Sequence, residues 1–247
     1  MFNVISVLIF LIEYHSNLVL LLSTKYGIFH ISIEVLMNDL FPVFLKIQNK
    51  SCLVIGGGNV AWRKVNNLLA VEAKVTIIAK KIDNKFNSLA TNDKILLKLK
   101  NYAENDLENA FLVFVCTNDR SLNNKIYHDC LARNILVNVA DSPAECVFYQ
   151  PSVVSQGDLK IAISVNGKCC SLAKKIRQDL EKQYDEKYNT IIDYLHKIRQ
   201  YLIKNEKDEQ TRKNILAKIV NSGKLYDQDK INTNNNINIK EELKKWY

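Results

Sequence analysis

The stretch CLVIGGGNVAWRK, residues 52–64, decides how this sequence is read. An apolar run from Cys52 to Ile55 meets three glycines, and beyond them Ala61, Val65, Leu68 and Leu69 recur at helical spacing. Strand, tight turn and helix follow one another without a linker. Gly56, Gly58 and Ala61 satisfy G-x-G-x-x-A at that junction. The first glycine permits the sharp turn, the second leaves room for a pyrophosphate against the backbone, and the alanine lets the helix approach the sheet closely. The helix start then offers free N–H groups to an anion. In this context the turn reads as a dinucleotide site; the plainer alternative is a glycine-lined turn that binds nothing.

Outward from this turn, β-rich runs alternate with helical stretches, which predicts an α/β fold with a Rossmann-type parallel sheet. The runs are SCLVIG, KVTIIA, ILLKLKN, FLVFVCT and ILVNVA. A second crossover, SLNNKIYHDCLARN, aligns Leu122, Ile126, Cys130 and Leu131. After Asp141 the character changes. VFYQPSVVSQGDLKIAIS reads as two strands about a Gln-Gly-Asp turn, and residues 171–203 read as helix with Ile191, Ile192, Leu195, Ile198 and Leu202 as an apolar stripe. The expected organisation is a sheet domain over 37–147, a small β segment over 148–168, a helical domain over 169–203 and a charged, Asn-rich tail over 204–247.

The first 36 residues stand apart. MFNVISVLIFLIEY and NLVLLLS are two short apolar runs split by Glu13, His15 and Asn17, and a membrane span needs about 20 mostly apolar residues. No basic start or small-residue cleavage site marks a secretory signal. Met37 immediately precedes the soluble-domain character, so residues 1–36 are expected to be an extension outside the fold, either untranslated or a weak peripheral anchor, with no stable membrane insertion.

Composition narrows the function class. At 247 residues and 47% hydrophobic the chain can bury a real core. Its 34 basic against 26 acidic residues suit an anionic partner. Nucleic acid is not favoured, because neither a recognition motif nor an aromatic-basic stripe is present. The six cysteines show no CxxC pair and no repeated spacing. That pattern disfavours a disulfide framework or resident metal site and suits a reducing, cytoplasmic setting. His128 lacks metal-ligating neighbours at helical spacing, and His196 stands isolated among charged residues.

One element of the dinucleotide pattern is missing. The end of the second strand, where an acidic residue would meet the ribose hydroxyls, reads Ala79, Lys80, Lys81. Lysines there either favour a 2′-phosphate or line the adenosine pocket through their backbone.

FPVFLKIQNKSCLVIGGGNVAWRK, VCTNDRSLNNKI, NVADSPAECVFYQPSVVSQGDLKIAISVNGK and SLAKKIRQDLE together resemble the precorrin-2 dehydrogenase family of sirohaem synthesis, some members of which are also sirohydrochlorin ferrochelatases. The likeness runs from about Met37 to about Arg199. It implies NAD-dependent oxidation of precorrin-2 to sirohydrochlorin by a homodimer whose middle strands and C-terminal helices exchange contacts, with ferrous ion as a further substrate where chelation follows. It carries an essential aspartate onto Asp141. Nucleotide contacts map to Gly56, Gly58, Asn59, Val60, Lys80 and Lys81, and to Thr117 in VCTNDRSLNNKI. Where relatives read Gly-x-Ser-Pro this chain reads NGKCC, so Cys169 and Cys170 replace the serine and proline beside the tetrapyrrole cleft.

From the residues alone, Asp141 has two readings. It sits at the carboxyl end of the last parallel strand, where such sheets place ligands, and suits a general base. Equally, ADSP is a good turn sequence, with the aspartate capping the turn before Pro143. A nucleotide-sensing regulatory module of the kind attached to ion transporters would share the strand-turn-helix unit, but would not account for NVADSPAECVFYQPS.

Overall fold

The computed structural model describes residues 8–14, 17–24, 27–33, 40–89, 93–222 and 239–244. The chain forms two compact units, Met1–Leu45 and Lys46–Tyr247. In the first, β1 (Leu8–Tyr14), β2 (Asn17–Thr24) and β3 (Gly27–Ile33) pair in sequence order as an antiparallel meander. Apolar and β-branched runs divided by short polar breaks suit such strands.

The second unit is built on five parallel strands: β4 (Ser51–Ile55), β5 (Lys74–Ala79), β6 (Ile95–Leu99), β7 (Leu112–Val115) and β8 (Leu136–Val139). Their spatial order is β6-β5-β4-β7-β8. The chain winds outward from β4 to β6 and then returns to β7 on the other side of β4. Between β4 and β7 the winding reverses, and at such a switch point a crevice opens beyond the strand ends. Helix α1 (Asn59–Leu69) links β4 to β5, and α2 (Arg120–Leu131) links β7 to β8; among the described residues the other two crossovers carry 3₁₀ turns, Asn84–Leu89 and Glu104–Leu107.

Because both faces of the sheet are covered, the central strand is apolar along its length. Cys52 and Val54 pack with Ala61, Val65 and Leu68 of α1. Leu53 and Ile55 pack on the opposite face with Ile126 and Cys130 of α2. The inward face of α2 differs from the expected stripe. Leu131 is 40% exposed, and the buried positions are Asn123, Ile126 and Cys130. An asparagine takes the buried place nearest the carboxyl ends of the strands.

Beyond β8 the chain forms the antiparallel pair β9 (Ser152–Gln156) and β10 (Leu159–Ile163). The helical region then divides. Helices α3 (Cys170–Gln183) and α4 (Lys187–Asn205) replace the single run expected from the sequence; Asp185 accepts a hydrogen bond from the Lys187 N–H at 3.2 Å, starting a second helix. A further helix, α5 (Glu209–Asn221), lies within what reads as a charged tail. Asp208 caps it by accepting from the Thr211 N–H at 2.7 Å. Ile219 is fully buried with Ile191, Ile198 and Leu202 of α4 and Leu243 of α6 (Ile239–Lys244), so packing against α4 explains the helix. Most of the Asn-rich stretch, 223–238, lies outside the described residues. Among the described residues no helix is long and apolar enough to cross a membrane.

Candidate functional site

At the end of β4 the three glycines do three different things. Gly56 has φ +128°, a conformation side chains rarely adopt, and an added Cβ would lie 2.4 Å from the Cys116 carbonyl oxygen. Gly57 has an ordinary φ, but a Cβ there would lie 2.1 Å from the Lys81 carbonyl oxygen. The turn is thus clamped between the ends of β5 and β7. Backbone bonds hold it from both sides: Gly56 N–H to Ile78 O at 2.8 Å, Asp83 N–H to Gly57 O at 2.8 Å, and Cys116 N–H to Ile55 O at 2.7 Å. Gly58 is different. It is exposed, caps α1 with extended backbone at φ −97°, and has nothing within 4 Å of an added Cβ. The fold demands the first two glycines; the third keeps clear a space at the positive end of α1.

That space belongs to a cavity of about 700 Å³ at the switch point, walled by residues 55–58, 78–83, 100–102 and 116–119 with Leu122. Gly56, Gly58, Lys80, Lys81 and Thr117 are among its walls. Lys80 and Lys81 are exposed, whereas Lys100, also in the wall, is paired with Asp106 at 2.6 Å. Asn59 and Val60 form the exposed first turn of α1 beside the cavity. The acceptor groups of a pyrophosphate fit the free N–H groups and the open space at Gly58, and the cavity has the size of a small-molecule site.

Asp141 is exposed, two residues beyond the end of β8, and is not among the cavity walls. It is joined to them through Asn123. This α2 side chain is 2% exposed; its amide donates to the Thr117 carbonyl at 3.1 Å and to Asp141 Oδ1 at 3.4 Å, while its oxygen accepts from the Thr117 hydroxyl. Asn138 on β8, 7% exposed, fastens the far side of the same loop by donating to the Phe148 carbonyl at 2.9 Å. Cys146 closes the turn with S–H contacts to the Val139 and Ser142 carbonyls, both at 3.3 Å.

On the α1 face, Lys64 lies 4.6 Å from the centre of the Phe114 ring and donates to Gln150 Oε1 at 2.6 Å. Burial lowers its pKa. Burial also pushes the Cys116 thiol up to about 11, so at neutral pH it is protonated and is no base. Two carboxylates then stand near Thr117: Asp119, in the wall itself, is occupied in capping α2 by accepting from the Leu122 N–H at 3.0 Å, and Asp141 lies on the β8 side. Cys169 and Cys170 are exposed at the start of α3, and the Ser171 hydroxyl beside Cys169 lowers its pKa. His128 and His196 are exposed, and among the described residues no three His, Cys, Asp or Glu side chains gather as a metal set.

Sequence reasoning missed Gly57, Asn123, Asn138 and Lys64. Gly57 stands between the two glycines of the motif, and the atom it must clear, the Lys81 carbonyl, is remote in the sequence. Asn123 falls three residues before Ile126 and seven before Cys130, on the inward side of α2, but the sequence alone gives an asparagine there no partners.

Residues 43–152 match a family model described as putative NAD(P)-binding. The chain is 36% identical over 199 residues to a sirohaem synthase of Ruthia magnifica subsp. Calyptogena magnifica, covering 77% of this chain and 42% of that protein. It is 35% identical over 166 residues to a sirohaem synthase of Mannheimia succiniciproducens, covering 66% of this chain and 35% of the relative. The chain thus spans well under half the length of these curated relatives. Its fold is also similar to the solved structure of SirC, a precorrin-2 dehydrogenase, with TM-score 0.67 and 27% identity over 83% of this chain and 98% of that one.

Proposed function

We propose that the chain belongs with the sirohaem synthases and precorrin-2 dehydrogenases it resembles and that it oxidises precorrin-2 to sirohydrochlorin with NAD. The observation that carries the reading is the unfilled space at Gly58, at the start of α1 and the switch point of the sheet, with the Asp141 carboxylate just beyond the end of β8, two strands away on the same edge. NAD, when bound, supplies the hydride acceptor. In this reading Gly56, Gly58, Asn59 and Val60 receive the pyrophosphate, Lys80 and Lys81 flank the adenosine ribose, and Thr117 borders the reacting end. As the macrocycle gains a double bond, one hydride leaves for the nicotinamide and a proton leaves for Asp141, acting as general base.

Charge supports the substrate class. Setting aside the one lysine and two glutamates of residues 1–36, the rest of the chain holds 33 basic against 24 acidic residues, net +9. A positive field of this kind speeds capture of a polycarboxylate tetrapyrrole. A homodimer is part of the proposal, because the two-stranded β9–β10 sheet, against which α3 packs and in which Val154 is buried, still leaves Val153 38% exposed to a second copy. Ferrous ion enters the proposal as a second substrate, after oxidation, and the thiol-rich, disulfide-free chain suits the reducing cytoplasm.

The test is to incubate purified protein with precorrin-2 and NAD, then add ferrous or cobaltous ion, following the two spectral changes separately. NADH formation matched by the sirohydrochlorin spectrum is expected in the first step. A protein that binds NAD but leaves precorrin-2 unchanged overturns the reading. A second spectral change faster than the metal alone produces supports chelation.

A further inference from the structure

Setting aside tyrosine and cysteine, Asn123 and Asn138 are the two polar residues buried among the described ones. Both hold the loop that bears Asp141, one from α2 and the other from β8. Burying an amide is costly unless its hydrogen bonds are met, so a core that is otherwise apolar has placed its two exceptions at one loop.

The geometry fixes which way the Asn123 amide points. Its oxygen accepts from the Thr117 hydroxyl, and its nitrogen has two N–H donors, one for the Thr117 carbonyl at 3.1 Å and one for Asp141 Oδ1 at 3.4 Å. Reversing the amide would set its oxygen against a carbonyl and a carboxylate at once. The 3.4 Å bond is long, as catalytic hydrogen bonds in ligand-free sites often are before they tighten.

We propose that Asn123 is a positioning residue: from beneath the loop it aims the Asp141 carboxylate toward the reacting centre and ties it to the cavity wall at Thr117. This rests on the dehydrogenase reading, since it assigns Asn123 a part in that reaction. A purely structural asparagine would tie helix to loop equally well, but its loss would not act through Asp141.

The experiment measures kcat, KM for precorrin-2 and NAD affinity for Asn123→Ala and Asn123→Asp, alone and with Asp141→Asn. Asn123→Ala is expected to lower kcat about 10- to 100-fold, the range of a lost hydrogen bond to a charged group, with KM and NAD affinity nearly unchanged. In the Asp141→Asn background the same substitution should cost almost nothing more, because the two residues act as a unit. Asn123→Asp keeps an acceptor for the Thr117 hydroxyl and sets a carboxylate against Asp141, so it should lose at least as much, and it serves if the alanine variant fails to fold. A further readout needs no turnover: the Asp141 carboxyl carbon resonance, identified by its loss in Asp141→Asn, should shift in both Asn123 variants at fixed pH. Additive losses, a wild-type kcat in Asn123→Asp, or an unmoved resonance overturn the inference. Failure of wild-type protein to oxidise precorrin-2 overturns the reading beneath it instead.

Discussion

The two ends of the switch-point crevice are made by opposite means. At β4 the surface proposed for the nucleotide is made of backbone: Gly56 and Gly57 bring the turn against the Cys116 and Lys81 carbonyls, and backbone bonds fix it. At β8 the work is done by side chains, with Asn123 and Asn138 buried to hold the Asp141 loop from two directions. A surface of N–H groups suits a ligand gripped by its phosphates, because it needs no titrating group and no rotamer to be frozen. A proton acceptor must instead be a side chain, and aiming it requires other side chains. The contrast predicts that substitutions at the glycine end act on folding or on binding, and those at the aspartate end act on rate.

The severest test falls on the fold-demanded glycines. Gly56→Ala forces a methyl into φ +128° and to 2.4 Å from a backbone oxygen that cannot move without disturbing the β4–β7 pairing. The expected loss is about 4 kcal/mol or more, enough to leave little folded protein. Thermal unfolding followed by circular dichroism reads it; a midpoint equal to wild type would mean that the clamped turn is not what holds β4 against β7.

Next in size is Asp141→Asn, with an expected loss of about 10²–10⁴-fold in kcat and unchanged NAD affinity in a titration. An asparagine can still cap the turn before Pro143, so the substitution separates proton transfer from turn formation. Wild-type turnover would make Asp141 structural and dissolve the contrast between the two ends.

The same contrast governs what could be read from the sequence. Glycine spacing, strand runs and the first crossover helix were legible because backbone demands are local: a turn needing positive φ declares itself by its residue. Gly57 was not, since its requirement is a carbonyl 24 positions further along the chain, at Lys81. Asn123 was hidden for a related reason: an asparagine in a helix normally marks the wet face, and only the tertiary position of Thr117 and Asp141 turns it inward. Helix α5 was hidden by its setting, as four charged residues are spread through it and its Ile215, Leu216 and Ile219 matter only once α4 is present.

Gly58→Ala tests the part of the glycine end proposed to meet the ligand. At φ −97° alanine is unstrained and meets nothing within 4 Å. Restricting the unfolded chain stabilises by about 0.4–1 kcal/mol, while alanine is a poorer helix cap than glycine, and these small terms oppose. The unfolding midpoint should barely change. NAD affinity should fall about tenfold, or 1.4 kcal/mol, because the methyl occupies the space proposed for pyrophosphate. A stable protein with wild-type NAD affinity would return the turn to a connection that binds nothing.

The smallest effect is expected where the nucleotide end does carry side chains. Lys80 and Lys81 are exposed at the end of β5, and the Lys81 carbonyl is the atom against which Gly57 packs. If this end works through backbone, Lys80→Ala with Lys81→Ala should leave that carbonyl in place and change NAD affinity by no more than about twofold, since solvent-exposed charges contribute roughly 0–1 kcal/mol. The same pair of ammonium groups would matter more to a ligand with a 2′-phosphate on the adenosine ribose, where each lysine meets a localised negative charge. Titrating the double variant with both nucleotides therefore separates two contributions. A loss confined to NADP leaves NAD held by the backbone and assigns the lysines to the ribose end, whereas a large loss of NAD affinity would mean that side chains grip the nucleotide as they do the aspartate loop.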